Sequence, residues 1–113
     1  MALALNNYVT VGVNAGSSPV GIYTAPSGYN AVVLCAQATN TTGASEDVTL
    51  QHVREVSGVA VTIYASYQKA CASHETIELT TGKLTLVPGD QFKVGTSTST
   101  GLHVLVTVLE TLI

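Results

Sequence analysis

Apolar and polar residues alternate with a period of two along most of this chain, in short runs separated by Gly, Pro, Ser and Asn. This period places successive side chains on opposite faces and is typical of half-buried β-strands. No window of a dozen residues shows the 3.6-residue period of an amphipathic helix. The pattern therefore predicts nine strands, at residues 8–13, 20–24, 29–39, 47–54, 59–66, 76–80, 83–87, 91–96 and 102–110.

The segment GKLTLVPGDQFKV, residues 82–94, gives the sharpest local prediction. Pro88 fixes its own φ at about −65°. Gly89 can adopt the positive φ of a type II turn, and Asp90 can bond back to the backbone. We therefore expect a hairpin in which the strands before and after the turn pair with each other.

The alternation also predicts which side chains face the core. Val48 and Leu50 share one face of their strand, and Thr49 between them points the other way. In the next strand the residues that share one face are Val59, Val61 and Ile63. We expect all of these aliphatic side chains to be buried, because each strand offers one apolar face.

Two strands are apolar on both faces, at residues 31–38 and 102–109. The second face needs a cover, which is either a loop of the same chain or a neighbouring subunit. Leu105 and Leu109 lie on the second face of the last strand. We assign residues 1–7 to an N-terminal arm that can lie across a neighbour. The expected contact residues with another copy or with a capsid are Ala2, Leu3, Leu5, Leu105 and Leu109.

Length and composition agree with a single all-β domain. The chain has 113 residues, with sixteen Val and sixteen Thr, and strands recur at spacings of about 8 to 12 residues. We predict an antiparallel β-sandwich, jelly-roll-like, of about eight or nine short strands over residues 1–113. Charged residues make up only 10% of the chain, against about 25% in ordinary soluble domains. This depletion favours a surface that is covered by other subunits.

The sequence offers little reactive chemistry. The net charge is −3 and the four basic residues are scattered, so we expect no nucleic-acid partner. No apolar run approaches twenty residues, so we expect no membrane partner. The three histidines lack metal-ligand spacing, and no nucleophile motif occurs, so we assign no catalytic, cofactor-binding or metal-binding residues and expect no enzyme. Cys35 lies in an apolar run and is predicted to be buried, with no disulfide to Cys71.

Several segments together carry a resemblance to a known family: Ile22-Tyr23-Thr24-Ala25-Pro26, residues 31–40 (AVVLCAQATN), 47–50 (DVTL), 82–94 and 106–110 (VTVLE). This order resembles small virion structural proteins of tailed bacteriophages, particularly those of cyanobacteria and other aquatic bacteria. The resemblance implies a β-sandwich present in many copies on the particle, without enzymatic activity. We therefore expect a capsid decoration or cement protein, made in the cytoplasm of the host bacterium and located in the virion.

The expected partners are further copies of the chain, in a homo-oligomer such as a trimer, and the major capsid protein or other virion proteins. Two alternatives remain open at this point. One is a neck or tail structural component that attaches fibres. The other is a carbohydrate-binding module that uses the residues Tyr23, Tyr29, Tyr64 and Tyr67 to hold a host glycan.

Overall fold

A computed structural model describes residues 6–97 and 101–113 of the chain. The described residues form nine β-strands and no helix, which confirms the all-β prediction. The strands are β1 Asn6–Ala15, β2 Val20–Thr24, β3 Tyr29–Asn40, β4 Glu46–Val56, β5 Val59–Cys71, β6 Thr76–Glu78, β7 Leu84–Leu86, β8 Gln91–Thr96 and β9 Leu102–Leu112.

The strands form two antiparallel sheets that share one core. The first sheet has the order β1-β9-β3, and both β6 and β7 pair with the other side of β3. The second sheet has the order β2-β8-β4-β5. Among the described strands, β1 and β5 are therefore the long outer strands, and each pairs with a neighbour on one side only.

The core lies between the sheets and follows the predicted alternation. In β9, alternate residues from Leu102 to Val108 are fully buried, and Val48 and Leu50 in β4 are buried as predicted. Phe92 in β8 is the largest of the fully buried side chains. Since each buried aliphatic side chain contributes about 1.5 to 3 kcal/mol, this shared apolar layer is the main stabilising feature of the fold.

The Pro-Gly-Asp turn has the predicted local geometry but a different role. Gly89 has φ of 91°, and the N–H of Asp90 donates to the carbonyl of Val87 at 3.0 Å. However, β7 pairs with β3 in the first sheet, whereas β8 pairs with β2 and β4 in the second. The prediction of a hairpin was therefore wrong. The turn carries the chain from one sheet to the other, and its local residue types do not determine which strands pair.

Cys35 is exposed, so the prediction that it is buried was wrong. The register of β3 against β9 shifts between Val33 and Cys35, which inserts a bulge and reverses the alternation at that point. Val33 and Ala36 are both buried, while Leu34 and Cys35 between them are exposed. Cys71 is buried, and both cysteines are free thiols.

The β4–β5 hairpin also departs from the predicted burial. Ile63 pairs with His52, which in turn pairs with the core residue Phe92, so all three side chains lie on the inner side of the second sheet. Val59 and Ile63 are nevertheless 64% and 61% exposed, and Val61 is exposed as well. The faces were predicted correctly, but the hairpin carries these side chains to a part of the sheet that the first sheet does not cover.

Candidate assembly surfaces

The outer face of the first sheet carries the predicted contact residues that the structure describes. Leu105 and Leu109 alternate with the buried residues of β9 and therefore point away from the core. Leu105 is 44% exposed, and Leu109 is half-buried. Leu109 lies directly between Tyr8 of β1 and Val32 of β3, which gives an apolar row across three strands. Their role as contacts stays a prediction.

Gly12 explains how Leu105 lies on this face. The two residues are opposite each other in the β1–β9 ladder. A Cβ atom at position 12 would come within 2.8 Å of Cδ2 of Leu105. Because glycine lacks a side chain, Leu105 can fold over β1 and cover part of its outer face.

The other predicted contact residues, Ala2, Leu3 and Leu5, lie outside the described residues. Of the predicted arm at residues 1–7, Asn6 and Asn7 are already part of β1 and pair with β9.

The two outer strands are unusual in composition. β1 runs for ten residues without a charge or a proline. In β5, the nine residues from 59 to 67 (VAVTIYASY) also contain neither. Outer strands of soluble monomers normally carry lysine, proline or a bulge that blocks pairing with another chain. The β1 edge, and the β5 edge from residue 59 to residue 64 before the register shift at Ala65, therefore present free backbone groups with little to oppose pairing.

A buried ionic cluster attaches strand β4 of the β4–β5 hairpin to the core. Asp90 is almost fully buried. Its carboxylate accepts hydrogen bonds from Nε of Arg54 at 2.9 and 3.1 Å and from Nη2 of Arg54 at 2.6 Å. It also accepts one from the backbone N–H of Val87 at 3.0 Å and lies 3.2 Å from Nε2 of His52. The turn between the sheets and the hairpin are thereby joined at one carboxylate.

The pKa of Asp90 reflects this environment. Burial alone would raise the pKa of this carboxyl, but the hydrogen bonds from Arg54, the Val87 N–H and His52, with the charge of Arg54, outweigh burial and lower it. The hydrogen bond to Asp90 and the charge of Asp90 raise the pKa of Arg54. The cluster is a charged contact that joins β4 to the turn between the sheets.

A second buried polar contact joins β1, β2 and β9. The hydroxyl of Tyr23 donates to Oε2 of Glu110 at 2.6 Å, and Nδ2 of Asn7 donates to Oε1 of the same carboxylate at 3.2 Å. Burial, the hydrogen bond to Glu110 and the charge of Glu110 all raise the pKa of Tyr23. Sequence reasoning missed this contact, although Glu110 continues the buried alternation of β9 and its phase was therefore a signal that it needs a partner.

The tyrosines do not form one aromatic face. Tyr23 is buried and bonded to Glu110, so it cannot bind a sugar. Tyr64 and Tyr67 are exposed on β5, with ring centroids 4.6 Å apart in an edge-to-face arrangement. Tyr29 begins β3 and is half-buried. Of these four tyrosines, Tyr64 and Tyr67 are the two that are exposed, as a neighbouring pair.

Residues that could carry metal or covalent chemistry are dispersed. Within 6–97 and 101–113, no group of three or more His, Cys, Asp and Glu side chains is close enough to hold a metal ion. His52 contacts Asp90, His74 lies by Ser73, and His103 is on the outer face of β9. The described part of the chain also has no helix that is long and apolar enough to cross a membrane.

Comparisons with known proteins identify the fold and no family. No protein-family description matches the chain, and no curated protein matches it. A solved structure from work on Bacillus endospore appendages, described as a novel family of disulfide-linked pili, aligns with a TM-score of 0.57. The alignment covers 100% of this chain and 96% of that chain at 15% sequence identity. The chain is therefore similar in fold to that pilus protein, and the likeness defines the class only as a small all-β structure.

Proposed function

We propose that this chain is a structural subunit without enzymatic activity, which assembles with further copies of itself through the edges and outer faces of its sheets. The observation that carries this proposal is the pair of long free edges, β1 and residues 59–67 of β5, which contain no charge and no proline. Exposed backbone groups on such edges pair readily with another strand. A chain with only 10% charged residues offers little electrostatic opposition to close packing of identical copies.

For the larger assembly, our first choice is the shell of a tailed bacteriophage, where the chain acts as a decoration protein over the major capsid protein. This choice rests on the sequence resemblance of the strand and turn segments. Many weak, equivalent contacts give a stable coat because each bound copy raises the effective concentration of the next contact. A neck or tail position would use the same contacts at a different place on the particle.

The likeness to a pilus protein favours a second candidate, a subunit of an open filament. The two candidates differ in symmetry. Identical surfaces that meet around a closed axis give an oligomer of fixed size, whereas two different surfaces that meet head to tail give a filament that grows. A glycan-binding module is less well supported, because Tyr23 is buried and the exposed rings of Tyr64 and Tyr67 on β5 lie on a different sheet from the exposed ring of Tyr8 on β1.

Light scattering after size-exclusion chromatography, followed by electron microscopy of the same fractions, tests the proposal. We expect species larger than the 11.6 kDa monomer, with a mass that rises with protein concentration. A discrete oligomer supports the decoration protein, and fibres support the filament subunit.

A double variant with Thr10→Lys and Thr62→Lys tests the two edges, because it places one charge on each free edge without changing a buried residue. This variant should remain folded and become monomeric. If the unmodified chain stays monomeric at millimolar concentration, or if it turns over a substrate, the proposal is wrong.

A further inference from the structure

The two halves of β5 differ in how their free edge is protected. In the second half, the ladder to β4 shifts register, and Gln68 has a positive φ of 47°. Its backbone N–H donates to Oγ1 of Thr49 at 3.0 Å. The ammonium group of Lys69 donates to the carbonyl of Glu78 at 2.7 Å, which ties this half of the strand to β6. A bulge and an edge lysine are the devices that prevent pairing with another chain.

The first half of β5, residues 59–64, carries none of these devices, because its ladder to β4 is regular and it contains no lysine. It begins at a two-residue turn in which Ser57 and Gly58 have φ of 53° and 79°, the positive values of a type I′ hairpin. In such a hairpin the residues that flank the turn, Val56 and Val59, are a hydrogen-bonded pair. The antiparallel ladder then alternates. The residues whose N–H and C=O groups point away from β4 are Ala60, Thr62 and Tyr64.

The same half also has an uncovered apolar face. Val56 of β4 lies opposite Val59, and its side chain is exposed with those of Val59, Val61 and Ile63 on the inner side of the sheet. Together these four side chains expose on the order of 350 Å², within the size range of patches that mark interaction sites. An open groove of about 220 Å³ continues this surface between Ile63 and Leu84 of β7.

We propose that the first half of β5 pairs antiparallel with β5 of a second copy, with a two-fold axis at Thr62. Free N–H and C=O groups on an edge form a template for an extended strand of another chain, and the sequence from 59 to 67 has no like charges that would oppose its own copy. The two four-stranded sheets would then form one eight-stranded sheet. This inference rests on the proposed function and names one of its interfaces.

The axis at Thr62 follows from the alternation of the strand. It places Thr62 opposite the second copy's Thr62 as a pair that exchanges two backbone hydrogen bonds. It also places Val61 opposite the second copy's Ile63, and Ile63 opposite the second copy's Val61, in the closer non-hydrogen-bonded pairs. Both apolar pairs lie on the inner side, so the exposed faces of the two hairpins merge into one surface. The area buried is about 1,000 Å² in total, at the low end for specific interfaces, so the dimer should dissociate on dilution.

Disulfide trapping tests the register directly. In a Cys35→Ser background, which removes the exposed native thiol, a Thr62→Cys variant should form a covalent dimer under mild oxidation. Paired residues in an antiparallel ladder have Cα atoms about 5.5 Å apart, within reach of a disulfide. Ala60→Cys on the same edge is the matched control and should remain uncrosslinked, because this register places it opposite Tyr64 of the second copy. If mixing a Thr10→Cys variant with the Thr62→Cys variant gives mainly a Thr10–Thr62 crosslink, β5 pairs with β1 of the next copy and the symmetric dimer is wrong.

A proline at position 62 gives a second, independent test. Thr62→Pro removes an N–H that points away from β4, so the internal ladder keeps its bonds, whereas Thr62→Val keeps the N–H and changes only the side chain. The proline variant should raise the dissociation constant by roughly thirtyfold relative to the valine variant, because two symmetric hydrogen bonds are lost.

Circular dichroism checks whether both variants are folded. If the proline variant is unfolded, the disulfide experiment alone tests the interface. Equal association of the two folded variants, or no crosslink at position 62 in a chain that does self-associate, overturns this interface and leaves the proposed function standing. A chain that is monomeric throughout overturns both.

Discussion

Replacing Asp90 by asparagine should reveal how strongly the ionic cluster stabilises the fold. The substitution keeps the shape of the side chain, and its carbonyl oxygen can still accept the Val87 N–H, but the guanidinium of Arg54 loses its anionic partner. Breaking a buried ion pair costs about 3 to 5 kcal/mol. The side chain of Arg54 is 43% exposed, so water replaces part of the lost contact. We therefore expect a loss of about 2 to 3 kcal/mol in the free energy of unfolding.

Urea denaturation followed by circular dichroism measures this loss, and thermal unfolding should show a fall in Tm of about 10 °C. Several protein concentrations are needed, because self-association adds to apparent stability. Glu55→Gln is the matched control, since it neutralises an exposed carboxylate on the same strand and should change stability by less than about 0.5 kcal/mol.

The stabilisation by Asp90 should depend on pH in a direction that its pKa determines. The folded state lowers the pKa of Asp90, so its contribution is fully present above the pKa of the unfolded chain, about 3.9, and is lost as the pH falls through the lower folded value. The stability difference between the unmodified chain and the Asp90→Asn variant should therefore shrink below about pH 4. If the two chains unfold at the same urea concentration at pH 7, or if their difference persists unchanged at pH 2, the cluster does not stabilise the fold in this way.

Two further predictions concern the other buried polar groups. Tyr23→Phe removes the hydroxyl that donates to Glu110 and should lower the free energy of unfolding by about 1 to 2 kcal/mol, measured by urea denaturation. Because burial, and then Glu110, raise the pKa of Tyr23, the absorbance change of this residue should appear in an alkaline titration above the usual tyrosine range. If the unmodified chain and the variant show the same titration there, the contact is contradicted. Burial also raises the pKa of the Cys71 thiol, so a thiol reagent should label Cys35 rapidly in the folded chain and Cys71 only on unfolding; equal rates at both sites would show that the packing around Cys71 is wrong.

The strands were predictable from the sequence because their signal is local. Val20–Thr24 and Gln91–Thr96 have the predicted bounds, and the positive φ of Gly89 follows from its place in the turn. The partners of those strands were not predictable, since the turn residues set a change of direction without selecting a sheet. The exposure of Cys35 depends on a bulge between Val33 and Cys35, and an apolar run does not indicate which of its residues will be left unpaired.

The polar contacts of the core were only partly predictable from the sequence. Glu110 continues an otherwise apolar face, which indicates a buried acid, but the sequence does not show that Tyr23 lies opposite it across the core. Arg54 likewise lies on the inner side of β4, and its partner Asp90 is 36 residues away in sequence. Contacts between sheets depend on topology, and alternation within a strand contains no information on that topology.

The ionic cluster and the proposed interface are linked through the hairpin. Arg54 lies opposite Val61, and His52 lies opposite Ile63, so Asp90 holds β4 at the two positions that flank Thr62 on β5. An edge can select a register only when its strand is held in place, since a mobile hairpin would lose entropy on pairing and would accept several registers. The buried carboxylate therefore does more than stabilise the core, because it orients the half of β5 that no bulge or lysine protects. On this argument, the loss of Asp90 should weaken self-association at protein concentrations where the variant is still folded.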